Sequence, residues 1–215
     1  MPHQSHQPLE WPLGVRTPHP DEVPPEWRDA IEKARRVAFT TGYVVSHKGG
    51  ESFTAYFEAN VHASQVWTVV CALVEALLPR AAAPIVGVKG EDTPILGPYT
   101  LRGIALAVLE PYAHYLQHDG LLEFGVIHQS DGRTEEVFVK SAKYLQVWTN
   151  RQERVREVFA RFGIPEAEKL AFIDEYPLKR ETLPRPDGRA GWAWVIDELT
   201  IAFAHLPAAP AGSGV

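Results

Sequence analysis

One cysteine stands in the 215 residues, Cys71, so an intramolecular disulfide is excluded and a reducing, cytoplasmic setting is expected. There is no basic excess: 21 Lys and Arg stand against 27 Asp and Glu, a formal charge of -6. Nucleic-acid binding, which rests on cations that neutralise phosphates, is therefore not expected. Long apolar runs are also missing. The longest, Val66 to Leu78, is interrupted by Thr68 and Glu75 and is too short to cross a bilayer core of roughly 30 Å, so no membrane span is expected. Met1 to Pro8 lacks the basic segment and apolar run of a secretory signal. No glycine-rich phosphate loop, metal cassette or nucleophile motif is present, so neither a cofactor nor a catalytic residue is assigned.

What is present is a composition 45% hydrophobic, ample for one compact core. Prolines crowd the start (Pro2, Pro8, Pro12, Pro18, Pro20, Pro24 and Pro25), so residues 1–24 read as a flexible tail onto which Trp11 and Leu13 can dock. Residues 207–215 read as a disordered tail and 25–206 as a single α+β domain. His3, His6 and His19 in the first tail lack a rigid element that would make them metal ligands.

Periodicity predicts helices over 25–36, 64–78, 151–162 and 190–206, with a further helix from Thr100 interrupted at Pro111. Strands are predicted at 37–46, 52–61, 84–89, 144–149 and 170–176, with a tight turn at His47–Glu51 and Asn150 capping the helix that follows it. The order strand, strand, helix, strand, helix can be read twice, over 37–118 and 121–206, a tandem ββαβα arrangement. This order implies an antiparallel or mixed sheet with helices mainly on one face.

The sharpest local signal is the hairpin 121–140, whose Asp131-Gly132 turn is the type I′ pair. It sets Ser130 opposite Arg133, His128 opposite Glu135, Val126 opposite Val137, Phe124 opposite Val139 and Glu123 opposite Lys140. Leu122, Phe124 and Val126 then share a face with Val137 and Val139, while Ile127 and Phe138 lie on the other, so cover on both faces is expected there. His128 and Glu135 read as a surface pair near the hairpin tip.

Glu110, His114 and His118, spaced four apart with Asp119 just beyond, are the best metal-like constellation, although Pro111 disturbs its first step. Cys71 reads as a small buried hydrophobe. Scattered candidates for an acid, base or hydrolytic site are His47, His62, His114, His128, Glu58, Glu123 and Asp174, with His47 and His128 at strand ends where they could meet. These carry the alternative reading of a small hydrolase or metal-dependent enzyme. The many Trp and Tyr residues carry another, a homo-oligomeric scaffold or regulatory subunit, with a homodimer as its simplest form.

The segments Leu121-Leu-Glu-Phe-Gly-Val-Ile-His128, Asp131-Gly132, Thr134-Glu-Glu-Val-Phe-Val139 and Lys143-Tyr-Leu-Gln-Val-Trp-Thr149 resemble the acidic α+β immunity proteins that protect bacteria from polymorphic or contact-delivered toxins. The resemblance implies a non-enzymatic inhibitor that covers the active site of a cognate, basic toxin through charge complementarity and a few anchors. The acidic contact groups expected from charge and exposure are Glu91 and Asp92 in the long loop 90–98, with Asp131, Glu135 and Glu136 at the hairpin.

Overall fold

The computed structural model describes residues 8–47 and 52–210. The His47–Glu51 turn, His3 and His6 therefore lie partly or wholly outside the described residues. In chain order the elements are β1 (Val15–Arg16), α1 (Arg28–Arg35), β2 (Gly42–His47), β3 (Ala55–Asn60), α2 (Val66–Leu77), β4 (Ala81–Val88), β5 (Ile95–Leu96) and β6 (Thr100–Leu101). They continue as α3 (Arg102–Leu109), α4 (Ala113–His118), β7 (Leu122–Ser130), β8 (Arg133–Val139), β9 (Leu145–Thr149), α5 (Gln152–Arg161), β10 (Lys179–Arg180) and α6 (Gly191–Ala204). Strands β2, β3, β9, β8, β7, β4 and β5 lie side by side in that order, every neighbouring pair antiparallel, and β6 pairs with the start of β4. The protein is α+β.

The β7–β8 register is the one its turn chemistry predicts, with Ser130 on Arg133, His128 on Glu135 and Phe124 on Val139. Asp131 and Gly132 have φ of 50° and 72°, as a type I′ turn requires. Because paired residues share a face, Ala59, Leu145, Val139, Phe124 and Val86 form one cross-sheet row and Phe57, Val147, Val137 and Val126 the next. Both rows are fully buried beneath α2, α3, α4, α5 and α6, which supply Leu73, Leu109, Leu116, Phe159 and Leu199 to the same cluster.

A strap crosses the sheet end at which β7 begins. Residues 8–16 and 178–183 meet in the β1–β10 ribbon, Val15 opposite Arg180. Gly14 N–H donates to the His118 carbonyl (2.7 Å), Glu181 N–H to the Gly14 carbonyl (2.8 Å) and Gly120 N–H to the Glu181 carbonyl (3.0 Å). The backbones approach so closely that a Cβ on Gly120 would lie 2.0 Å from the Gly14 oxygen. Trp11 docks edge-on against Phe39, whereas Leu13 is exposed.

Several elements differ from the pattern in the sequence. Residues 37–41 stay outside the sheet because Phe39 is drawn between Trp11 and Tyr176. The alternation over 170–176 yields no strand but a single 3₁₀ turn, Ile173–Glu175, because Phe172 and Ile173 pack into separate small clusters. The second half therefore runs strand, strand, strand, helix, helix, ahead of which β10 pairs outside the main sheet. Asn150 does not cap α5. Thr149 Oγ accepts from Arg151 N–H (2.8 Å) at the start of that helix, and the Asn150 side chain instead donates to the carbonyls of Ser52 and Thr134. As Pro111 foretells, α3 and α4 are separated by a 3₁₀ turn, Glu110–Tyr112.

Candidate functional site

Cover on both faces, expected from Ile127 and Phe138, is only partial: away from the helices Ala83, Ile85 and Phe138 are buried, whereas Tyr56, Glu58, Trp148, Glu136 and Ile127 are partly exposed. Opposite the helices, one row reads Ser46, Tyr56, Trp148, Glu136, Ile127 and Ala83, and the next reads Val44, Glu58, Gln146, Phe138, Gly125, Ile85 and Leu96. The strap covers its Val44 corner through Leu170 and Phe172. The other large side chains on this face join none of the hydrophobic clusters. Phe138 lies flat over Gly125, where a Cβ would stand 2.7 Å from its ring. A solvated sheet face ordinarily alternates to polar residues, so an apolar and aromatic one is a candidate contact surface.

Two carboxylates sit in it. Gln146 Nε2 donates to the Tyr56 hydroxyl (2.6 Å), which donates to Glu58 Oε1 (2.8 Å), and the Tyr56 and Trp148 rings meet at 5.1 Å. Glu136 stands between Trp148 and Ile127, and its burial pushes the carboxyl up to about 7. Among the described residues neither Glu58 nor Glu136 forms an ion pair.

The five expected acidic contacts do not form one surface. Glu91 and Asp92 are exposed beyond the end of β4, while Asp131 is exposed at the opposite end of the nine-residue strand β7, roughly 30 Å away. Glu135 and His128, read as a surface pair, are both buried, 6% and 7% exposed. Their helix-facing side chains find separate partners. Glu135 accepts from Thr149 Oγ (2.5 Å) and Asn150 N–H (3.1 Å), tying β8 to the start of α5. His128 Nδ1 donates to the Ala81 carbonyl (2.7 Å) and Nε2 accepts from Ser130 Oγ (2.9 Å), leaving neither ring nitrogen free for catalysis. Of the five, Glu136 alone belongs to the open face.

The histidine constellation also separates. The His114 and His118 rings lie 5.1 Å apart, tilted by 53°, but Glu110 sits in the intervening 3₁₀ turn. Among the described residues no three His, Cys, Asp or Glu side chains gather as a metal site would need. Burial, then His114, lowers the His118 pKa. Asp119 is consumed by the strap, accepting from Leu121 N–H (3.0 Å), Thr182 Oγ (2.7 Å) and Leu183 N–H (2.8 Å). His62 Nδ1 accepts from Glu10 N–H (3.1 Å) and so also serves the strap. Exposed His47 shares a sheet row with His128 but lies four strand spacings off, roughly 19 Å, so the two do not meet. Burial pushes the Cys71 thiol up to about 11, which leaves it inert.

Lys143 is the residue that sequence reasoning missed. It closes the three-residue β8–β9 loop at φ 64°, a position that ordinarily takes glycine, and it is 2% exposed. Its Nζ donates to the Leu122 carbonyl (2.5 Å), and burial lowers its pKa to about 7 despite Asp119 and Glu123 nearby. The available signal was a strand pair interrupted by Ser141-Ala142-Lys143 with no glycine to supply the left-handed residue. Among the described residues no helix is long and apolar enough to cross a membrane. No family model matches the chain, and neither a curated protein nor a solved structure matches it.

Proposed function

We propose that the chain is a non-enzymatic protein-binding inhibitor, an immunity protein acting in the cytoplasm, that neutralises a basic cognate toxin by gripping it with the open face of the sheet. The observation that carries this reading is Glu136, a half-buried carboxylate without a cation, set between Trp148 and Ile127. A basic side chain docking there would supply the missing counter-charge, and its apolar stem would cover the aromatic pair. Interface cores are apolar and aromatic with few charges, as this face is. A second copy fits it less well, because two such faces stacked together would gather four carboxylates, Glu58 and Glu136 from each, while Lys140, the cation beside Phe138, is already paired with Glu123.

The test is capture from the native organism's lysate with the wild-type protein and with Trp148→Ala/Glu136→Lys as paired baits. A basic protein that is toxic when expressed alone, is neutralised by co-expression of the wild type and is lost from the variant supports the reading. Equal capture by both baits, or a partner whose toxicity is not neutralised, overturns it.

A further inference from the structure

A second surface, independent of the open face, has the composition of a small-molecule site. Between α1 and the strap lies a cavity of about 620 Å³ lined in part by Glu26, Trp27, Glu175, Tyr176, Pro177 and Arg180. That volume falls in the range of sites for small organic ligands, roughly 300–1,000 Å³. Trp27 is 51% exposed, although large apolar side chains here are mostly buried.

Arg180 is the anomalous group. Its neighbours in the ribbon are saturated: Arg16 pairs with Glu22 and Glu181, and Lys179 with Glu22. Arg180 takes part in no ion pair among the described residues, and its Nε is buried without a hydrogen-bond partner. A partly buried guanidinium without a counter-charge among the described residues fits a carboxylate from outside the chain, taken by its terminal nitrogens. Yet the same cavity carries Glu26, and Glu175, one of whose oxygens accepts from Phe172 N–H (3.1 Å). A ligand bearing a carboxylate alone would face those anions, and one bearing an amine alone would face Arg180. A ligand with both charged groups on one carbon and a flat apolar body suits all the walls.

We propose that this cavity binds a free aromatic α-amino acid. Arg180 takes the carboxylate, the acidic rim of Glu26 and Glu175 takes the ammonium, and Trp27, Tyr176 and Pro177 face the ring. The site is built from segments about 150 residues apart, so its ligand fastens α1 to the strap and raises the stability of the whole chain by mass action.

The full-length protein is titrated with L-phenylalanine, and in parallel with phenylacetate, phenethylamine and glycine, each of which lacks one of the three features. L-phenylalanine is expected to bind with a Kd of ~0.1–1 mM, within the ligand efficiency of a twelve-atom molecule. At tenfold excess over Kd it raises Tm by roughly 3–6 °C, and it alters tryptophan emission. Arg180→Gln abolishes the Tm rise. It should fold, because among the described residues the Arg180 side chain makes no hydrogen bond or ion pair to lose. Trp27→Phe keeps the Tm rise and loses the emission change. No Tm rise at millimolar L-phenylalanine, an equal rise with the three partial ligands, or an undiminished rise in Arg180→Gln overturns the proposal. All three outcomes are independent of whether the open sheet face binds a partner.

Discussion

The two faces of the sheet are written in the same strands, one residue out of phase. On the helix side the row Ala59, Leu145, Val139, Phe124 and Val86 is fully buried. On the other side the row Glu58, Gln146, Phe138, Gly125 and Ile85 supplies nothing to the helix-covered cluster, and its largest member, Phe138, lies against Gly125 with the Lys140 ammonium 5.4 Å from its ring centre. Hydrophobicity alone does not separate these rows, since both hold aromatic and branched residues. Charge does. The closed face keeps ionisable groups at its margin, each with partners, as at His128 and Glu135, whereas the open face holds Glu136 in its middle without a cation. A sheet face that is apolar yet retains an uncompensated carboxylate is suited to a partner rather than to the protein's own core.

The contrast is broken most directly by paired truncations. Phe124→Ala should cost ~3–5 kcal/mol and Phe138→Ala about 1–2 kcal/mol in urea unfolding, because only the first leaves a cavity enclosed by helices. Equal losses would mean that the faces are energetically alike. Next in size is Lys143→Met. It removes a buried charge while keeping the apolar stem, and it should stabilise the protein by about 2 kcal/mol at pH 7. The unfolded chain keeps this proton to about 10.5 while the folded site releases it near 7. The unfolded state thus binds more protons between those values, and stability rises with pH across that window. Denaturation midpoints at several pH values should show this rise in the wild type and a flatter profile in Lys143→Met.

Glu136→Gln should give a smaller gain, on the order of 1 kcal/mol at pH 8 after allowance for solvent screening. Here the folded state holds its proton up to about 7 and the unfolded state loses it near 4.5. Wild-type stability therefore falls as pH rises through that interval, and the variant should lack the fall. Thermal melts across the interval that superimpose for the two proteins would place Glu136 in water. The smallest effect on folding belongs to Trp148→Ala, about 1 kcal/mol or less, although the same change should weaken a toxin partner's binding roughly 30-fold in titration calorimetry. A large folding loss without a binding loss would return Trp148 to the core.

The β7–β8 hairpin was readable to the residue because Asp131-Gly132 admits one turn geometry, and one turn geometry admits one register. The α2 and α5 helices were readable from apolar periodicity for the same local reason. The strap was not, because its order comes from contacts far apart in sequence. The alternation of Leu170, Phe172, Asp174 and Tyr176 has the strand period, but Phe172 and Ile173 turn into separate small clusters instead of pairing along an edge. Of the candidate site, the sequence showed that Ile127 and Phe138 share a face, and it included Glu136 among the acidic groups. It could not show that Tyr56 and Trp148 complete that face, since β3 and β9 are adjacent only through the sheet order. Nor could it show that Glu135, next to Glu136, points the other way into a closed hydrogen-bond set. Lys143 was opaque because lysine reads as surface unless the loop geometry around it is already known.

The strap gives the chain an unusual relation between order of synthesis and order of closure. Residues 8–16 leave the ribosome well before residues 178–183, yet β1 pairs with β10, and Gly14 waits for both His118 and Glu181. A segment whose partners are made so much later in the chain cannot fold with its sequence neighbours alone and seats after the intervening sheet and helices. Residues 170–183 close over the β8–β9 turn and Asp119, beside the buried Lys143 amine. Burial lowers that amine's pKa to about 7, so sealing this corner is coupled to a partial release of its proton near neutral pH.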